Sequence, residues 1–134
     1  MFKKDGKVLE INSKTGLYPL YAATSFFYKK QMTFIDENYG KINKYDEEKI
    51  VQDILKNNIY VIAKTPMAKT ITQRTLAGYK NWKTNIIYIE DLTHLLKKDE
   101  IEIENKVKKE FKVMKFDVVV GNPPYQESNL ESNR

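Results

Sequence analysis

The sequence predicts an α/β fold in which parallel strands form a sheet covered by helices. Short apolar segments with strand-like composition alternate with longer segments in which apolar residues recur at helical spacing. The strand candidates are apolar almost throughout, as is typical of parallel strands that are buried on both faces of a sheet. With 134 residues, the chain is long enough for one domain with one core.

Each element follows from its local pattern. The four predicted strands are, in chain order, 7–11, 59–62, 85–90 and 115–120. The predicted helices are 17–31, which has Pro19 in its first turn, 46–56, which begins with acidic residues, and 67–77, which lies between Pro66 and Gly78. The polar segment 36–45 is predicted as a loop, 93–98 as a short helix or turn, and 100–109 as a charged connector.

Composition excludes several classes of site. The absence of cysteine excludes disulfides and thiolate metal sites and fits a reducing cytoplasm, and a single histidine excludes a histidine-based metal cluster. We expect a cytoplasmic protein without metal or membrane association, since no apolar run is long enough to span a bilayer. The net charge of +5 suits a polyanion such as nucleic acid. The basic residues of the segment 64–83 are interpreted either as solvated helix surface or as a contact to a phosphate backbone.

The segment Gly-Asn-Pro-Pro-Tyr directly follows the fourth predicted strand. The two prolines end the strand and stiffen the backbone, so the groups that follow are held in fixed positions. These groups are the Asn122 carboxamide, the Pro123 carbonyl and the Tyr125 ring. Two acceptors beside an aromatic face suit a planar amino group on a ring. The alternative is a simple Pro-Pro turn with Tyr125 on the surface.

The motif Asn122–Tyr125, NPPY, resembles the catalytic motif of amino-methyltransferases that use S-adenosylmethionine. From Val8 to Gln126 the chain resembles the N6-adenine-specific DNA methyltransferases of bacterial restriction–modification systems, particularly in "VLEINSKTGLYPLYAA" and "IYVIAKTPMAKTITQRTLAGY". The resemblance implies an incomplete Rossmann-like methyltransferase fold with about four parallel strands. Residues 1–134 would then form a partial catalytic domain, with a cofactor motif near 8–23 and the catalytic motif at 122–125.

The resemblance also implies a mechanism. The target adenine leaves the duplex stack and stacks on Tyr125, while Asn122 and the Pro123 carbonyl accept hydrogen bonds from its amino group. These bonds draw the nitrogen lone pair out of conjugation and make it a better nucleophile, so catalysis consists of positioning and transition-state hydrogen bonding. The implied catalytic residues are Asn122, Pro123, Pro124 and Tyr125.

By the same resemblance, S-adenosylmethionine is expected over the end of the first strand and beside the third. The implied cofactor-binding residues are Glu10, Asn12, Thr15, Gly16 and Asp91. Two alternatives remain: "NSKTG" as a capping turn with Ser13 or Thr15 as the cap, and Asp91 as a helix cap or solvated acid.

Two positions depart from the family pattern. Lys14 stands where the first loop glycine is expected, and a glycine would let the backbone approach a ligand closely. Ala63 and Lys64 follow the second strand, where an acid that binds the ribose hydroxyls is expected. Both departures put the affinity for the cofactor in question.

The expected strand order, three-two-one-four, leaves the apolar fourth strand at an edge. Because the chain ends nine residues after Tyr125, we interpret it as the front part of a methylase. The expected partners are duplex DNA, bound weakly, together with the remainder of the methylase, a nuclease subunit or a second copy. Two alternatives remain open: an amino-methyltransferase acting on protein glutamine or RNA, and an inactive fragment that binds nucleic acid or a methylase partner.

Overall fold

The computed structural model of the chain describes residues 5–90, 92, 100–113 and 115–121. Within these ranges four strands form one parallel sheet in the order β3-β2-β1-β4. The predicted α/β class and strand order are therefore confirmed. The strands are β1 (Val8–Ser13), β2 (Ile59–Ala63), β3 (Asn85–Tyr88) and β4 (Val118–Gly121), whose bounds differ from the predicted ones by up to three residues.

Four helices of the described ranges flank the sheet. They are α1 (Leu17–Glu37), α2 (Lys44–Asn57), α3 (Pro66–Ala77) and α4 (Glu100–Phe111). The prediction of a loop over 36–45 was too long at both ends. Helix α1 continues to Glu37, after which the Asn38 N–H bonds the carbonyls of Phe34 and Ile35. Helix α2 begins early because Asn43 and Asp46 form a capping box, in which each side chain accepts a hydrogen bond from the other residue's backbone N–H.

The prediction of a charged connector over 100–109 was wrong, because this segment is the first part of helix α4. Its numerous charged residues obscure a narrow apolar stripe. Ile103 and Val107, one helical turn apart, are 5% and 6% exposed and pack against the sheet. Together with the half-buried Phe111 at the end of the helix, these two positions place α4 against the sheet.

The core lies on both faces of the sheet. Residues that alternate along a strand point to opposite faces. Val8 and Val61 accordingly join the apolar cluster beneath α1, α2 and α3. Leu9 and Ile62 join a second cluster beneath α4. This two-sided burial explains why the strands read as continuous apolar runs.

Strand β4 is an edge of the sheet formed by the described residues, and it pairs with β1. Val119 on this strand is 57% exposed, whereas Val118 and Val120 are half-buried. The expectation of an exposed apolar edge is confirmed for these residues. No helix in the described ranges is long and apolar enough to cross a lipid bilayer.

Candidate functional site

A cavity of about 280 Å³ lies at the carboxyl ends of β1 and β4. The residues that line it are 10–18 from the end of β1 and the start of α1, together with Val120 and Gly121 of β4. Four of the predicted cofactor-binding residues are therefore brought to one cavity, namely Glu10, Asn12, Thr15 and Gly16. In open α/β sheets, ligands bind at this position, outside the carboxyl ends of the strands.

The cavity loop begins with a bulge at Asn12. The register of β1 against β2 shifts between Ile11 and Ser13, and Asn12 adopts a left-handed backbone conformation with φ 69°. Asparagine tolerates this conformation better than most residues. The strand pairing then resumes, because the Lys64 N–H donates to the Ser13 carbonyl at 2.8 Å. The bulge thus turns the chain into the cavity without a glycine.

Gly16 directly precedes helix α1, at its N-cap position, and packs closely against α3. Its φ of 81° lies in the left-handed region, and a Cβ atom there would come within 2.8 Å of Thr72 Cγ2 and 3.2 Å of Thr72 Cα. The Thr75 hydroxyl donates to the Thr15 carbonyl at 2.7 Å, so α3 holds the loop at two points. No side chain caps the helix, and the alternative of Ser13 or Thr15 as the cap was wrong.

Lys14 does not disturb this loop. Its side chain is exposed, and its backbone is not in the left-handed conformation. Among the described non-glycine residues, that conformation is adopted by Asn12, Tyr39 and Lys112. The conformation that a glycine would permit at position 14 is therefore not needed, since the chain turns at Asn12 instead. The departure from the family pattern at Lys14 is accommodated by the bulge.

Glu10 supplies a carboxylate in the cavity wall. Its side chain is half-buried, and burial raises the pKa of the carboxyl above its usual value, while the adjacent Ser13 hydroxyl offsets part of this rise. Ser13 Oγ is itself buried and makes no hydrogen bond of normal geometry within the described part of the chain. A cation or hydrogen-bond donor in the cavity would stabilise the ionised Glu10, and a ligand hydroxyl or amine would suit Ser13.

The end of β2 does not contribute to the cavity. Ala63 is fully buried and Lys64 half-buried, and neither is among the residues that line it. The second departure from the family pattern, the lack of an acid at the end of β2, is therefore not accommodated in the way that Lys14 is. Asp91 and the predicted catalytic residues Asn122, Pro123, Pro124 and Tyr125 lie outside the described residues. Gly121, however, lines the cavity and directly precedes Asn122 in the chain.

Sequence reasoning missed the supporting residues Thr72 and Thr75, and it considered Ser13 only as a helix cap. The two threonines lie three positions apart, so they share one face of α3, but nothing in this spacing indicates which loop they contact. Among the described residues, no group of three or more histidine, cysteine or acidic side chains is arranged to hold a metal ion.

Comparisons with known proteins agree on a single family. Residues 57–134 match the model of the Eco57I restriction-modification methylase family. A segment of 51 residues is 51% identical to a protein from Mycoplasma pneumoniae (strain ATCC 29342 / M129 / Subtype 1) named "Uncharacterized adenine-specific methylase". That segment covers 38% of this chain and 11% of the relative's length.

Proposed function

Because the chain belongs to the Eco57I restriction-modification methylase family, we propose that it carries the cofactor and catalytic motifs of an adenine-specific DNA methyltransferase. The reaction transfers a methyl group from S-adenosylmethionine to the exocyclic N6 amino group of an adenine flipped out of duplex DNA. One observation carries the proposal: the loop after β1 and the end of β4, which leads into Asn122, line the same cavity.

The chemistry of the cavity fits S-adenosylmethionine. Its volume of about 280 Å³ is close to the lower end of the range for small-molecule sites, about 300–1,000 Å³. Glu10 provides a partly buried carboxylate for a ligand that carries an ammonium group, a sulfonium centre and ribose hydroxyls. When bound, the cofactor supplies an electrophilic methyl group. We assign its binding to Glu10, Asn12, Thr15, Gly16 and Asp91.

The catalytic roles fall to the segment after β4. Asn122 Oδ1 and the Pro123 carbonyl accept hydrogen bonds from the target amino group and hold its nitrogen lone pair out of conjugation. Tyr125 stacks on the flipped base, and Pro123 and Pro124 restrict the backbone that presents these groups. Catalysis then requires no general base before methyl transfer, because the neutral amino nitrogen is the nucleophile and its proton leaves afterwards.

The acceptor is tested by incubating the purified chain with methyl-labelled S-adenosylmethionine and three substrates in parallel. These are duplex DNA, single-stranded RNA and a glutamine-containing peptide, since each presents a planar NH₂ group. We expect label only in DNA, recovered as N6-methyladenine after digestion. Label in RNA or peptide alone would overturn the DNA assignment. Cofactor binding without transfer to any acceptor would favour an inactive binding fragment.

A further inference from the structure

A second concave surface lies at the opposite end of the sheet. It is a cleft of about 540 Å³ along the amino ends of the strands, lined by residues that precede all four of them. Five of the lining residues are lysines, and no lining residue in the described part of the chain is acidic. They are Lys7, Lys56, Lys83, Lys112 and Lys115, and we call this surface the amino-end cleft.

Two acidic residues that lie close in the chain to cleft lysines, Asp53 and Asp117, are already engaged. Asp53 is paired with Lys30 at 2.7 Å and accepts from Asn57 Nδ2 at 2.6 Å. Burial raises the pKa of the Asp53 carboxyl, but the hydrogen bonds from Lys30 and Asn57 and the charges of Lys30 and Lys56 together outweigh it and lower the pKa. Asp117 accepts from the backbone N–H of Lys7 at 2.8 Å. Lys83, Lys112 and Lys115 form no ion pair with the described residues.

Stabilisation of a helix end does not explain the lysines either. Helix α2 ends at the cleft, where its free carbonyl groups carry the negative end of the helix dipole. Asn85 Nδ2 donates to the carbonyls of Leu55, Lys56 and Ile59 at 3.3, 2.7 and 3.1 Å. Lys7 Nζ donates to the Asn57 carbonyl at 2.9 Å. The carbonyls are therefore satisfied without Lys83, Lys112 or Lys115.

The spacing of the charges favours an extended anion over a single small one. Lys83 precedes β3 at one side of the sheet, and Lys115 precedes β4 at the other. Three strand spacings of about 4.8 Å separate these edges, so the row of lysines extends over about 14 Å. This is about four base steps along a nucleic acid strand, at about 3.4 Å per step. A row of phosphates matches this length, whereas one phosphate occupies only part of it.

We propose that the amino-end cleft binds the phosphate backbone of nucleic acid, at a site separate from the cofactor cavity and without base recognition. Tyr60 and Phe111 line the cleft, and their rings pack edge to face with each other and with Phe116, with centroids 5.2–6.5 Å apart. Because Tyr60 is only 5% exposed, its ring is not available for base stacking. Contacts to phosphate position a nucleic acid but carry no sequence information. The proposal goes beyond methyl transfer and does not depend on it.

The test compares two double variants of equal net charge by fluorescence anisotropy with a short labelled duplex and no cofactor. Lys83→Gln/Lys115→Gln removes two cleft lysines, and the control Lys41→Gln/Lys44→Gln removes two exposed lysines outside the cleft, one in the α1–α2 connection and one at the first position of α2. Each lost phosphate contact lowers the slope of log K against log salt by about 0.9. We expect a slope lower by about 2 and affinity reduced about tenfold or more near 100 mM salt in the cleft variant. The control is expected to behave as the unmodified chain.

Four results would overturn the proposal. The first is an unchanged salt slope in the cleft variant. The second is an equal loss of duplex affinity in both double variants, which would indicate a general effect of net charge. The third is displacement of the duplex by low millimolar inorganic phosphate at constant ionic strength, which would indicate a small-anion site. Lys83→Arg/Lys115→Arg keeps both charges and is expected to retain binding, so loss of binding in this variant would also contradict it.

Discussion

The two ends of the sheet are built in different ways. At the carboxyl end, a loop with two left-handed residues, Asn12 and Gly16, is held against α3 and surrounds a cavity containing one half-buried carboxylate. At the amino end, an open cleft carries five lysines on segments that precede the strands. The carboxyl end depends on backbone geometry, and the amino end depends on charge. Changes of shape should therefore affect the first, and changes of ionic strength the second.

The largest expected effect is that of Asn122→Ala on catalysis. If this carboxamide stabilises the transition state, its removal lowers the rate of methyl transfer at least about 100-fold, the scale for loss of one pre-organised hydrogen-bonding group. Cofactor affinity and the salt slope of DNA binding should not change, since neither depends on this group. Single-turnover rates beside a binding titration check this. The control is Asn105→Ala, at an exposed position of α4. A variant with normal turnover would remove Asn122 from the mechanism.

The next largest effect tests the shape of the carboxyl end. Gly16→Ala and Gly40→Ala both place a Cβ at a left-handed position, with φ 81° and 78°, but only at Gly16 does that atom meet a neighbour, Thr72. We expect Gly40→Ala to lower the unfolding free energy by about 1–2 kcal/mol. Gly16→Ala should lower it by about 1–3 kcal/mol more than Gly40→Ala does. Thr72→Ser removes the contacting methyl group and should restore part of the difference. Urea unfolding measures all three. Equal losses of unfolding free energy at the two glycines would mean that α3 does not restrict the side chain at position 16.

A smaller effect tests which residues at the amino end of the sheet contribute to folding stability and which contribute to nucleic-acid binding. Asn58 is 1% exposed, donates to the Gly6 carbonyl at 2.7 Å and accepts from Lys30 Nζ at 2.9 Å. Asn58→Ala removes the side-chain donor to the Gly6 carbonyl and leaves Lys30 with Asp53 as its acceptor, so we expect a loss of about 1–3 kcal/mol in unfolding free energy. Lys83→Gln/Lys115→Gln should stay within about 0.5 kcal/mol of the unmodified chain. A comparable loss in that double variant would show that the cleft lysines serve stability rather than binding.

The smallest effect concerns Glu10, where stability and binding should move in opposite directions. A raised carboxyl pKa means that the folded state binds more protons than the unfolded state above pH 4.5, so stability falls as pH rises through this window. Glu10→Gln removes that loss and should slightly raise the temperature of unfolding at pH 7. It should also flatten the pH profile while weakening cofactor binding. Thermal unfolding at several pH values tests this, and a destabilised variant would contradict it.

The sequence predicted those features that depend on neighbouring residues. The apolar runs gave the strands because each strand is buried on both faces, and the carboxyl-end cavity followed because Glu10 and Gly16 lie close together in the chain. Gly78 ends α3 as expected, with φ 62°. The Asn12 bulge was not predicted, since a shift in strand register depends on the partner strand as well as on local composition.

Features that depend on distant residues could not be predicted. The amino-end cleft collects lysines from four separate segments, and only Lys83 belongs to the basic stretch that the sequence indicated. The contact between Thr72 and Gly16 joins residues 56 positions apart, and no local pattern encodes it. Helix α4 was missed for another reason, because two buried residues, Ile103 and Val107, give only a weak apolar stripe among many charges.

The most direct measurement is a calorimetric titration of the chain with S-adenosylmethionine, repeated on Glu10→Gln and Lys83→Gln/Lys115→Gln. We expect micromolar binding at one site in the unmodified chain and in the double lysine variant, and binding weakened about tenfold or more in Glu10→Gln, the scale of one hydrogen bond to a charged group. This result would assign the cofactor to the carboxyl end alone. No binding at millimolar cofactor, or equal binding by Glu10→Gln, would contradict that assignment.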